Sequence, residues 1–225
     1  MCFNETASLV ALAIGVTFSA ILLLKGEVAY GGSLFFIAII QFYEYLAHVS
    51  INTNNDGLNA LATNLIFFGV ALQPLVFAFF NTFFMPKGAK FGLGDGVRKW
   101  PVIAVYLAIT GWAWYTSRNY MRTTHIDKEN CSAVCRLNWF NNAPVFPLVV
   151  FLIIYCLVIW AFFVRDSRLQ FPKAVPVPEA LPVLLIVSLV YTFVLDMGWR
   201  LKFGYLGSIW CFLSVFSGPL YLFHR

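Results

Sequence analysis

Long apolar runs alternate with short polar stretches from Ala7 to Phe223, and the runs recur at the length of a bilayer crossing. A hydrocarbon core takes roughly 20 apolar residues per helical span. The pattern predicts helices over 8–24, 33–50, 58–83, 102–116, 147–164, 180–197 and 207–223. Gly31-Gly32, Gly57, the glycines between 88 and 96 and the prolines between 172 and 182 punctuate them, as turn and breaker residues do. The stretch 172–178, with prolines at 172, 176 and 178, reads as an extended linker. A membrane β-barrel would alternate with period two. The run 148–163 is apolar on every face, so helices are expected instead. The fold class is therefore all-α: a polytopic membrane helical bundle of about seven transmembrane helices. Residues 1–225 read as a single integral membrane domain without internal repeats. The amino terminus has no basic region and no clear small-residue cleavage site, so the first helix is expected to be its own insertion signal.

Composition agrees with this pattern: 60% of the residues are hydrophobic and only 11% charged. The net charge is +5, but the bases sit in loops beside helices, where they orient the chain and meet anionic headgroups. No basic stripe interleaved with aromatics exists, so nucleic acid is not an expected partner. Lys87, Lys90, Arg98 and Lys99 fall in the third loop, Arg165, Arg168 and Lys173 in the fifth, and the chain ends His224-Arg225. With seven spans these share one side. Arg118, Arg122, Lys128 and Arg136 fall on the other and weaken the asymmetry. The best fit is the amino terminus out and the carboxyl terminus in. Asn4 and Asn130 both head acceptor sequences for glycosylation, and both fall outside in this arrangement. Cys131 and Cys135 share the same outer loop and are expected to form a disulfide there if that side is oxidising, ahead of the alternative of a metal site for which His125 is the only candidate third ligand. The chain has 5 cysteines, an odd number, so at least one is not in an intramolecular disulfide.

Polar groups inside spans are costly and point to function by default. Gln41, Glu44 and His48 stand at i, i+3 and i+7 of the second span and share one face. Asn64 falls in the outer half of the third span, with Gln73-Pro74 deeper. Asp196 and Arg200 end the sixth span and Trp210 and Cys211 begin the seventh. In the orientation above, Glu44, His48, Asn64, Asp196, Arg200, Trp210 and Cys211 all fall in the outer half of the bilayer. That shared depth suggests an outward-facing polar pocket for a small ligand. Bland alternatives stand beside it. His48 sits near a helix end at headgroup level, Asp196 and Arg200 suit an interfacial ion pair, and Gln73 suits the carbonyls that Pro74 frees. Glu44 is either protonated and hydrogen-bonded between helices, or part of an ion, proton or metal site.

The last helix has no mid-span lysine for a retinal Schiff base, and the 3 histidines, His48, His125 and His224, make no haem or di-metal pattern. No phosphate-binding P-loop, zinc-protease or serine-hydrolase motif appears. The opening Met1-Cys2-Phe3-Asn4-Glu5-Thr6-Ala7-Ser8-Leu9 resembles M-C-F-S-A-T-A-S-F, the start of a family of uncharacterised multi-pass membrane proteins of bacteria and large DNA viruses. Gln41 and Glu44 match that family's Q-x-x-E-G, with Tyr45 in place of the glycine, and His48 falls where the family often has an aromatic residue. Pro74 resembles the third-span proline, and residues 207–212 resemble G-S-x-W-C-F. The resemblance implies a membrane protein and draws attention to Cys2, Gln41, Glu44, Trp210 and Cys211. It implies no activity and names no cofactor.

The residues leave three readings. The leading one is a small channel or transporter for an ion, proton or small solute, with Glu44 as carrier. The second is a membrane metal or redox protein or enzyme using Cys2, Cys211 and Glu44. The third is a structural membrane or envelope component. Each predicts an integral membrane location, in a cell membrane, an endomembrane or a viral envelope. Each also has membrane lipids as partners and admits a homo-oligomer.

Overall fold

A computed structural model describes residues 4–84, 99–117, 124–126, 137–138, 150, 153–155, 211 and 214–223. The described chain is helical apart from one small strand pair. Helix α1 spans Glu5–Leu24, α2 Val28–Asn52, α3 Asp56–Phe84 and α4 Lys99–Ser117. Strands β1 (His125–Ile126) and β2 (Leu137–Asn138) pair antiparallel, and α5 spans Ser217–Phe223. Among the described residues, 3 helices are long and apolar enough to cross a membrane: Glu5–Leu24, Val28–Asn52 and Asp56–Phe77.

The helix ends follow from local chemistry. Asn4 caps α1, its Oδ1 accepting from the Ala7 N–H at 2.8 Å, and Glu5 adds a negative charge to the first turn. Two turns reverse the chain by the same device. After α1, Gly26 takes φ +79°, the Glu27 N–H donates to Leu22 O at 2.9 Å and the Gly26 N–H to Leu23 O at 3.0 Å. After α2, Asn54 takes φ +51°, the Asn55 N–H donates to Ser50 O at 2.8 Å and the Asn54 N–H to Ile51 O at 3.3 Å. Both are Schellman ends, with glycine and asparagine at the left-handed residue because those two types tolerate it best. Asn55 then starts α3, its Oδ1 accepting from the Leu58 N–H at 3.0 Å. Links this short make α1, α2 and α3 an antiparallel series, and Asn52 Nδ2 donates to Glu5 Oε1 at 2.6 Å across the end that holds Asn4.

Gly31-Gly32 does not break the chain as the sequence pattern suggests: α2 starts at Val28 and runs through both glycines. The reversal is carried by Lys25-Gly26-Glu27 instead, and the glycine pair serves close packing. A methyl on Gly31 would lie 3.0 Å from Ser19 O and 2.9 Å from Leu23 Cγ, and one on Gly32 would collide with the Phe80 ring. Ser19 Oγ donates to the Gly31 carbonyl at 2.6 Å through this gap. The buried face of α1 is Ser8, Ala11, Gly15, Ser19 and Leu22, a ridge of mostly small residues that brings the backbones together. Gly15 lies against Ala38 and Val215, and Gly218 against Leu34 and Phe18, so α5 runs toward the Lys25 end of the bundle. The main core joins Ile37, Ile40 and Ala47 of α2 to Ala62, Ile66, Phe67 and Val70 of α3.

Candidate functional site

The buried face of α2 carries the expected polar series. Gln41 and Glu44 are 0% exposed and His48 3%, in line with the core residues Ile37, Ile40 and Ala47 of the same helix. The 3.6-residue period sets all three on one stripe, with successive members about one turn apart. Their depth is fixed against α3 by Gly69, whose added methyl would lie 3.2 Å from Ile40 Cγ1 and 3.5 Å from Tyr43 Cε2. Because α2 and α3 are antiparallel, residues beyond Gly69 on α3 match residues before Ile40 on α2. Gln73 is therefore about one turn from the level of Gln41, on the side away from Asn4.

Gln73 is a junction. Its Oε1 accepts from the Tyr155 hydroxyl, and its Nε2 donates to Cys211 Sγ at 3.6 Å. One buried amide thus ties α3 to two segments 82 and 138 residues away. Pro74 follows it inside α3. A proline has no N–H for the carbonyl four residues earlier and its ring crowds that turn. The adjacent Ala71 carbonyl accepts from the Tyr106 hydroxyl of α4 at 2.5 Å. The Tyr106 hydroxyl thus serves a carbonyl one turn before the proline.

A second polar cluster lies at the Asn4 end. The Thr124 N–H donates to Asn59 Oδ1 at 2.7 Å, and Asn59 Nδ2 donates to the Thr124 carbonyl at 3.0 Å. Thr63 Oγ1 donates to Asn59 Oδ1 at 3.2 Å, and the Thr63 and Thr124 hydroxyls lie 2.7 Å apart. A hydroxyl has one proton. With that of Thr63 on Asn59, Thr124 is the donor to Thr63, and every polar atom of Thr124 is used.

Asn64 departs from the expected pocket. It is exposed, and its Nδ2 donates to Ala60 O of its own helix at 2.7 Å. The inward polar residues are Asn59 and Thr63, at i and i+4 on the face that also holds Ala62 and Ile66. Cys211 is buried, is not half of a disulfide, and lies at the Gln73 junction. Cys2, Asn130, Cys131, Cys135, Asp196, Arg200 and Trp210 lie outside the described residues. Among the described residues, no group of 3 or more His, Cys, Asp or Glu side chains is placed to hold a metal ion. Tyr106, Tyr155 and Thr124 went unnoticed in the sequence, where the one signal was a lone hydroxyl within an apolar or loop run. Comparison with protein-family models, curated proteins and solved structures finds no match.

Proposed function

We propose that the protein is a membrane translocator that passes a proton or small cation along the buried face of α2, with Glu44 as the carrier and Gln41 and His48 as its neighbours on the path. The observation that carries this reading is the complete burial of Glu44 in a helix apolar enough to cross a membrane, with a polar side chain about one turn away on either side. An ionisable group at such depth is expensive, and the usual reason for one is a relay or an ion path. Gln73 continues the series deeper, and Thr63 and Thr124 continue it toward the Asn4 end. Polar groups then recur from the level of Gln73-Pro74 in α3 toward the Asn4 end.

The reading includes about seven spans, with the termini on opposite sides. Helices α1 to α4 alternate in direction. Thr124 returns the chain to the Asn4 end, and the Gln73–Tyr155 bond brings it back to mid-depth. From Cys211 the chain descends to α5 at the Lys25 end. The loop charges favour the Asn4 side as the outer one.

The test is flux. Purified protein in liposomes is given a pH gradient or a potassium diffusion potential, and the internal pH is followed by a trapped dye. Glu44→Gln is expected to cut flux at least about tenfold, the scale of losing a positioned proton carrier, while the protein stays monodisperse. Flux at the wild-type rate in that variant overturns the proposal.

A further inference from the structure

Buried serines of this bundle spend their hydroxyls on backbone carbonyls. Ser33, Ser50 and Ser217 use those of the preceding turn, and Ser19 reaches across to Gly31. Ser214 does not. It is helical and 0% exposed, and its Oγ has no hydrogen-bond partner among the described residues. A helical serine has a carbonyl of the preceding turn within reach, so this hydroxyl is turned away from the bond most easily made. A buried polar atom in that position is costly, and proteins commonly answer it with an ordered water.

Register places this hydroxyl beside the Gln73 junction. A methyl added at Gly15 meets Val215 and Ala38 together, and one added at Gly218 meets Leu34. Val215 is therefore level with Ala38, and Cys211, one turn nearer the Asn4 end, is level with Gln41. Ser214 stands three residues after Cys211 on the same face, and its Cα–Cβ bond tilts toward the helix N-terminus, which carries the hydroxyl toward Cys211. Cys211 Sγ accepts from Gln73 Nε2, and Gln73 Oε1 accepts from the Tyr155 hydroxyl. Gln73, Tyr155, Cys211 and Ser214 are all buried, and they bring polar atoms from three segments of the chain to one depth.

We infer that Ser214 holds a buried water against the Gln73 junction, and that this water is the step of the column beyond Gln41 toward the Lys25 end. The presence of the water stands on Ser214 itself, and its role rests on the translocation reading above. An amide carries its donors and its acceptor on different atoms, whereas a hydroxyl and a water each carry both on one oxygen. Gln73 therefore positions, and Ser214 with its water relays. The pair takes up a proton on one side and releases one on the other, so none is gained or lost.

The experiment reads the water separately from flux. Protein in lipid receives a short X-ray pulse, which turns each water into hydroxyl radicals where it sits, and oxidation is mapped by tandem mass spectrometry. Cys211 is 0% exposed, so its oxidation reports a bound water rather than bulk solvent. Wild type is expected to be oxidised at Cys211 and Ser214→Ala to lose that signal. Ser217→Ala, whose hydroxyl is already spent on the Ser214 carbonyl, is expected to keep it. Unfolding by dodecyl sulfate gives a second reading without a label. Loss of a water-held hydroxyl shifts Ser214→Ala about fivefold toward the unfolded form, the scale of one neutral hydrogen bond, whereas loss of an unsatisfied hydroxyl shifts it the other way. No oxidation of Cys211 in wild type, or a stabilised Ser214→Ala, overturns the site whatever the flux does. Oxidation lost in Ser214→Ala together with reduced proton flux supports both site and role. Oxidation lost with proton flux at the wild-type rate supports the site and overturns its role. Oxidation lost with no proton flux in any form supports the site and overturns the translocation reading.

Discussion

The contact between Gly15 and Ala38 is the tightest point between α1 and α2 that a single methyl group can probe. A Cβ added at Gly15 would lie 2.5 Å from Ala38 Cβ and 3.2 Å from Val215 Cγ1. Carbon atoms rest at about 3.5–4.0 Å, so Gly15→Ala forces the helices apart by about 1 Å. The blocking atom on Ala38 is a Cβ with no rotamer to move it away. Overpacking of this kind costs about 1–3 kcal/mol. In water, alanine would recover part of that through helix propensity. In a bilayer the separated helices are already formed, so the gain cancels and a net loss of about 2 kcal/mol is expected. Ala38→Gly alone removes a buried methyl group and costs about 1 kcal/mol. The double variant moves the methyl from α2 to α1 at almost constant volume and is expected within about 1 kcal/mol of wild type, a coupling of about 2 kcal/mol. Titration of detergent-solubilised protein with dodecyl sulfate, followed by tryptophan fluorescence, gives all four stabilities. Wild-type stability in Gly15→Ala, or strict additivity in the double variant, would refute the packing described here.

Three further outcomes follow from the same geometry, the first two read by the same unfolding assay and the third by hydrogen exchange. Gln73→Leu leaves the Tyr155 hydroxyl and the Cys211 thiol without their amide partner and should cost about 1–3 kcal/mol. Tyr155→Phe removes one of those two bonds and should cost less than Gln73→Leu; the reverse order would show that Gln73 is not the junction. Asn54→Ala puts a Cβ-bearing residue with no polar side chain at φ +51° and should cost about 1 kcal/mol, whereas Asn54→Gly should be close to neutral. Equal effects of the two would remove the left-handed residue from the account of the turn. Tyr106→Phe frees the Ala71 carbonyl beside Pro74, and hydrogen exchange in α3 should rise locally around residues 71–75, with no rise near Asn59.

The sequence makes the helices legible because a bilayer-length apolar run has few other uses. The first four predicted spans match α1 to α4 to within a few residues at each end, with the largest difference at Val28. There the sequence is ambiguous in physical terms. A glycine pair can turn a chain or can let two backbones approach, and Gly31-Gly32 does the second because Gly26 already does the first. The stripe of Gln41, Glu44 and His48 is legible because its period is that of the helix itself. The Asn59 and Thr63 cluster was missed by one position. Asn64 is the next residue along, and one step rotates a side chain by about 100°, enough to move it from core to surface. The Gln73 junction is not legible at all, since its partners are set by tertiary packing over 82 and 138 residues.

The buried polar residues divide by what they do, and the division bears on Glu44. Ser33, Ser50 and Ser217 return their hydroxyls to carbonyls of the preceding turn, and Ser19 reaches the carbonyl of Gly31. Asn59, Thr63 and Thr124 satisfy one another, and Gln73 serves Tyr155 and Cys211. Every one of these is a neutral amide or hydroxyl, the least costly group able to make its contact in an apolar surround. Among the buried residues described, Glu44 supplies the only carboxyl and His48 the only imidazole. The amide of Gln41, one turn away on the same stripe, offers both a donor and an acceptor without a charge to desolvate. A carboxyl differs from that amide in one useful respect, that it can take up and release a proton. Glu44→Gln retains the shape and hydrogen-bonding capacity and deletes only that property. A structural Glu44 therefore predicts a variant as stable and as active as wild type, and a proton-carrying Glu44 predicts one that is stable and inactive.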